Sequence, residues 1–308
     1  MTPPSAGGAP SGRHASAVLV FLGAAFLGVS VPASKLLLPY FSPFHLVGLF
    51  GLGSALGTLP LLVPGGTPGA PWRLPRPSAW RLLGGLLSGG FLAPLLLLSA
   101  VQRVAAATVS IWLGIELAAT VLLGALLFGE RSSPASRLAA AGSLLAASAL
   151  LLSGGSRSVG AGALVGLACA FRALDNHLST PLEGGLDPAR VTLWRGLLVA
   201  LGSLMVGGLS RPVDVPALPL AGALVLGAAC GASSVLYLSV ARWAGVTRGQ
   251  ALLAAAPFWG LLFSTQLLGE RLSGLHQLAA VVLMLSYSLL GKGSWDRRAL
   301  EIGSAPSS

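Results

Sequence analysis

Apolar runs about 20 residues long follow one another from residue 16 to residue 291, separated by short polar stretches. A run of that length, helical at about 1.5 Å per residue, covers roughly 30 Å of hydrocarbon. The runs are continuously apolar, whereas the strands of a membrane barrel alternate over about ten residues, so a barrel is excluded. A soluble domain is excluded too, because 9% of the residues are charged where ordinary soluble domains carry roughly 25%. The chain reads as an all-α integral membrane protein.

Ten transmembrane helices are predicted, at 16–38, 44–63, 79–99, 105–128, 135–153, 159–179, 189–208, 219–240, 247–268 and 274–291. The net charge of +10 comes from 19 basic residues scattered singly between apolar runs, with no basic stripe, which argues against nucleic acid as a partner. With both termini on one side, that side holds 14 of them: Arg13, Arg73, Arg76, Arg81, Arg131, Arg137, Arg172, Arg190, Arg195, Arg242, Arg248, Lys292, Arg297 and Arg298. The other side holds 5: Lys35, Arg103, Arg157, Arg211 and Arg271. Basic residues stay in the cytoplasm, so both termini are expected there, with residues 1–15 a disordered cytoplasmic tail and 292–308 a second tail. The excess of Arg over Lys, 17 to 2, suggests a bacterial source and hence the inner membrane. Cys169 and Cys230 fall inside spans six and eight, as small apolar fillers rather than a disulfide or metal set. The first span has some features of a signal peptide, but it runs to Leu38 without a polar break and is read as a retained helix.

Shifting the chain against itself by 140 residues places Gly129-Glu130-Arg131 over Gly269-Glu270-Arg271, and Ser133, Leu138, Ala139, Ala140 and Leu145 over Ser273, Leu278, Ala279, Ala280 and Leu285. The chain thus divides into two five-helix repeats, 16–153 and 159–291. Five is odd, so the second half enters the membrane the other way round. Such inverted repeats are typical of secondary transporters.

Span four ends in Leu126-Leu127-Phe128-Gly129-Glu130-Arg131 and span nine in Leu267-Leu268-Gly269-Glu270-Arg271, while Lys35 closes span one and Pro257 lies inside span nine. In these features the chain resembles, over about residues 16–291, the EamA-type transporters of the drug/metabolite transporter superfamily. The resemblance implies a ten-helix basket with both termini cytoplasmic. It also implies a central cavity lined by spans one to four and six to nine, with spans five and ten peripheral, and export of small metabolites or drugs. More narrowly, Ile115-Glu116 and Ala173-Leu174-Asp175-Asn176 are similar to a bacterial branch of permeases with Leu-Glu and Ala-Leu-Asp-Asn at these places. His177 stands where that branch commonly has Asn, and Arg172 where an apolar or aromatic residue is expected.

An ionisable group in hydrocarbon costs several kcal/mol and marks a functional site by default. Counted along their spans, Glu116, Arg172, Asp175 and Arg195 lie about 16, 20, 24 and 21 Å from the outer surface. Arg172, Asp175 and Asn176 share one helical face through i,i+3 and i,i+4 spacing. One reading makes these groups a substrate site, with Glu116 taking a proton or an amine and Arg172 and Arg195 holding an anionic group; zwitterionic, amino-acid-like solutes fit that pairing. The other makes them a buried ion-pair network that braces helices. His177 joins Glu116 as a candidate for proton coupling. Lys35, one turn after Pro32, is either a snorkelling lysine or a cavity cation or gate. Trp112, one turn before Glu116, and Trp259, after Pro257, either stack on a substrate or pack. Glu130-Arg131 and Glu270-Arg271 suit helix-end pairing and gates, and Gly53, Gly57, Gly85 and Gly89 suit close helix approach.

No phosphate loop, His-Glu-x2-His, Cys-x2-Cys or Gly-x-Ser-x-Gly constellation occurs, so no cofactor, ATP-driven pump or enzyme is expected. The expected function is a secondary transporter that moves a small organic solute across the bilayer by alternating access, outward and with protons. The alternatives are an uncoupled facilitator or exchanger, and a membrane sensor or scaffold that transports nothing.

Overall fold

A computed structural model of the protein describes residues 11–62, 76–130, 132–179, 187–208, 216–244, 246, 253 and 255–303. Arg73, Arg131, Arg211 and Arg248 lie outside the described residues, as do the side chains of Arg13, Arg76, Arg242, Trp243, Lys292, Trp295, Arg297 and Arg298. The described backbone is helical, without a strand. Its helices are α1 (Ser11–Leu37), α2 (Pro43–Thr58), α3 (Arg76–Gly85), α4 (Ala93–Val101), α5 (Ala106–Trp112), α6 (Ile115–Leu127), α7 (Pro134–Ser153), α8 (Gly155–Ser179), α9 (Pro188–Gly208), α10 (Ala217–Ala244), α11 (Ala256–Leu268) and α12 (Gly274–Gly303). Helical backbone reaches into both segments read as tails.

Among the described residues, seven segments are long and apolar enough to cross a membrane: Pro43–Leu61, Ser78–Val101, Ala106–Leu127, Pro134–Ser153, Gly155–Ser179, Pro188–Gly208 and Ala217–Ser239. Leu22–Leu37 and Gly274–Leu289 are shorter apolar helices. Residues 247–252, the start of predicted span nine, lie outside the described residues. Large apolar side chains such as Leu126, Leu152, Leu218 and Val225 face outward, while Ser143, Ser203, Ser264 and Thr120 are buried. An apolar exterior around small polar interior residues suits lipid, not water, as the surrounding solvent. The chain is a multi-pass membrane protein.

Local chemistry explains the helix ends. The Ser42 and Ser133 side chains accept from the backbone N–H groups of His45 and Ser136, and Pro43 and Pro134 follow at the first helical position, where a missing N–H costs nothing. Ser273 caps α12 the same way, accepting from His276 N at 3.4 Å. Gly129 and Gly269 end α6 and α11 with φ of 65° and 63°, a left-handed conformation that only glycine adopts without strain. The next amide then turns back over the helix end: Glu130 N donates to Gly124 O at 2.9 Å, and Glu270 N to Ser264 O at 3.3 Å.

Among the described residues two spans are broken, and a tight turn precedes α11. Between α5 and α6 the chain tightens, with Glu116 N donating to Leu113 O at 3.0 Å. Ahead of α11, Ala256 N donates to Leu253 O at 2.9 Å, again 140 residues on. Between α3 and α4, Leu86–Leu92 is π-helical, and Ala93 N bonds to Ser88 O. Pro94 has no N–H to return to Gly90, so the ladder there shifts by one residue.

Glycines set the packing. Gly51 lies on Gly196 and Ala200 of α9, and Gly53 and Gly57 lie on Leu224 and Ala228 of α10, which wedges α2 between those helices. Helix α1 packs on α10 and α11, α8 packs on α6 and on the α3–α4 span, and α7 packs on α12.

Candidate functional site

The break at Leu113 and Gly114 delivers Glu116 to the first turn of α6, buried and facing α8. Arg172 Nε donates to Glu116 Oε2 at 2.7 Å, and Asn176 Nδ2 to Oε1 at 3.1 Å. The i,i+4 pair on α8 therefore grips one carboxylate of a neighbouring helix. Asp175 faces elsewhere: Arg195 Nη2 of α9 donates to its Oδ2 at 2.6 Å, and Ser179 Oγ to its Oδ1 at 2.7 Å. The carboxylate lies over Gly85 and Gly89, where a β-carbon would collide with it. The two buried carboxylates and the two half-buried guanidinium groups thus form two pairs, each neutral, which is the arrangement that low dielectric permits.

Two cavities adjoin these pairs. The first, of about 110 Å³, is lined by Arg172, Asp175, Asn176, Arg195, Ser233 and Tyr237, among others. The second, of about 40 Å³, is lined by Ser30, Glu116, Pro257 and Tyr287, among others. Leu27, Arg172 and Leu253 line both, so Arg172 stands at the wall between them. Contributions from α10 and from the α3–α4 span, through Ser233, Tyr237, Gly89 and Leu97, extend the frame beyond the spans singled out from charge alone. Tyr287 of α12 reaches the second cavity although the tenth span was expected at the periphery. No charge marks these residues in the sequence, and a Tyr in an apolar run was the one available signal.

The remaining candidates lie away from these walls. Trp112 is buried in the core, and its indole donates to Ala147 O at 3.1 Å. Trp259 stacks on Phe263 with ring centroids 5.9 Å apart, next to the contact of Gly28 with α11. Lys35 Nζ donates to Glu270 Oε1 at 3.0 Å and to Val104 O at 2.8 Å. Ala106 N and Ala107 N also donate to the Glu270 carboxylate, at 2.9 and 2.8 Å, so that one anion caps α5 and holds α1. Sequence reasoning foresaw gate-like pairing for this glutamate but not the capped helix, which lies 164 residues away.

His177 is buried, stacked on Phe128 at 4.7 Å. Its Nε2 meets Thr120 O at 3.1 Å, and its Nδ1 meets Glu130 Oε1 at 3.3 Å. A carbonyl only accepts, so Nε2 carries the hydrogen of that bond.

Residues 14–153 match the model of the EamA-like transporter family. Over that stretch the chain belongs to this family. It is a membrane transporter, and the EamA-type signature read from Gly129-Glu130-Arg131 falls within the matched residues. A solved structure described only as the crystal structure of a protein superposes with a TM-score of 0.64 at 20% identity, over 93% of this chain and 99% of its own. The EamA module and the rest of the chain thus share a known fold. No curated protein matches the sequence.

Proposed function

We propose that the protein is a secondary transporter of a small organic solute, built as two inverted five-helix repeats that rock about a site at Glu116, Arg172, Asp175, Asn176 and Arg195. One observation carries this reading. Glu270, in the second half, clasps Lys35 and the start of α5 in the first, while Glu130, in the first half, clasps His177 in the second. Both glutamates follow a left-handed glycine, 140 residues apart. Lys35 and His177 each lie two residues before the end of their helix, at Leu37 and Ser179. Two equivalent latches that cross between halves suit a machine that opens one end while closing the other. The matching turns, Glu116 N to Leu113 O and Ala256 N to Leu253 O, and the caps at Ser133 and Ser273 support the same repeat.

In the orientation with both termini cytoplasmic, Glu270 lies at the outer end and Glu130 at the inner end, in a bacterial inner membrane. Among the described residues Glu270 has more partners than Glu130, and its side chain is 15% exposed against 42%, which supports a closed outer end. In this reading solute enters from the cytoplasm and leaves outward. His177, buried against Glu130 at the inner latch, is the coupling group in this reading, with Glu116 held by Arg172 and Asn176. The test is counterflow in proteoliposomes against a panel of labelled metabolites, at several values of pH. Accumulation of at least one solute, at a rate that changes with pH, is expected. Absence of counterflow for the whole panel would speak for a sensor or scaffold, and pH-independent counterflow for an uncoupled exchanger.

A further inference from the structure

We infer that the solute is recognised through a single carboxylate, bound end-on by the terminal NH2 groups of Arg172. The inference rests on the transport reading for its biological meaning and on geometry for its chemistry. Arg172 spends its Nε on Glu116, and among the described residues its two terminal NH2 groups make no hydrogen bond. A guanidinium has five N–H donors in a rigid fork, so four remain for a ligand. The side chain is 30% exposed, and the exposure is to the two cavities that Arg172 divides. Glu116, itself held by Asn176, fixes the plane of the guanidinium from the side and leaves the end-on edge open. That edge matches a carboxylate bidentately.

The other charges are spoken for. Arg195 is engaged by Asp175 and lies within 3.5 Å of Ser179 Oγ, so it lends field rather than an open edge. Ser233 and Ser234 already donate to backbone carbonyls, which leaves their oxygens to accept from a second polar group of the solute. Size and charge narrow the class further. A cavity of about 110 Å³ is smaller than the 300–1,000 Å³ typical of drug-sized ligands. The two ion pairs sum to zero, so a monocarboxylate adds one charge, a zwitterion none and a dianion two; a dianion is disfavoured at this depth. Glu116 and Asn176 are then positioning residues, and Arg172 is the contact.

The test is saturation-transfer NMR on the purified full-length protein with propionate, propionamide and propylamine, three probes of one size and different charge. Propionate is expected to bind, and the amide and amine to bind at least tenfold more weakly. Arg172→Lys keeps the charge but not the fork and is expected to weaken propionate at least tenfold; Glu116→Gln/Arg172→Met, which removes both charges together, guards against misfolding and is expected to lose it altogether. Equal signals from the three probes, or undiminished propionate binding in both variants, would overturn the assignment. Counterflow on the same preparation separates the two readings. Exchange of an amine or neutral solute that propionate does not inhibit would end the carboxylate assignment and leave transport standing. Propionate binding that depends on Arg172, with no exchange of any solute, would do the reverse.

Discussion

At the residue scale, two buried carboxylates each find a cation on another helix, and the pairing decides what each can do. Asp175 and Arg195 tie α8 to α9 across the glycines of the third span. Removing one partner of a buried pair leaves an uncompensated charge, at a cost of about 3–5 kcal/mol. Arg195→Met is therefore expected to lower the melting temperature in detergent markedly, and Asp175→Asn/Arg195→Met to recover most of the loss; equal melting of all three proteins would count against the pair. His177 makes a prediction of the opposite kind. Its ring joins α8 to Glu130 and to the Thr120 carbonyl of α6, so a side chain without the ring loosens the inner latch. His177→Gln is expected to change the transport rate without unfolding the protein, as counterflow and thermal melts of the two proteins would reveal. The ionisable residues themselves were legible in the sequence, as was the shared face of Arg172 and Asn176. Which helix answers them was not, because Glu116 and Arg172 are 56 residues apart and meet only through packing.

At the element scale, the breaks matter as much as the helices. For spans two to eight the hydropathy reading agrees with helices long and apolar enough to cross, because a 20-residue apolar segment in lipid must satisfy its own backbone. The discontinuity at Leu113 and the π-helical stretch escape a window average, although Gly114 and Pro94 supply their local cause. Gly85 and Gly89, readable as a close-approach motif, admit a carboxylate rather than a bare helix. Gly89→Ala is accordingly expected to destabilise the protein and impair transport by displacing Asp175. The matched control is Gly202→Ala in α9, where a new methyl meets open space and should stabilise the helix by about 0.5–1 kcal/mol. Thermal melts of the two variants check this directly; similar shifts would mean that the α8 contact tolerates a side chain.

At the scale of the whole molecule, the account rests on two latches working in alternation. The glutamates that form them were visible as a repeated tripeptide, and their partners were partly visible, since Lys35 and His177 had already been singled out. What the sequence hid is that each latch crosses from one half to the other, a relation that exists only once the halves are folded together. The most direct test joins Lys35→Cys and Glu270→Cys with a reducible bifunctional thiol reagent in proteoliposomes, and follows counterflow of a solute found to exchange in the wild type. The native Cys169 is buried, and a Cys169→Ala/Cys230→Ser background removes both native thiols from the experiment. Counterflow should stop when the outer latch is fixed and return when the link is reduced. Undiminished counterflow with the link in place would contradict alternating access through this pair.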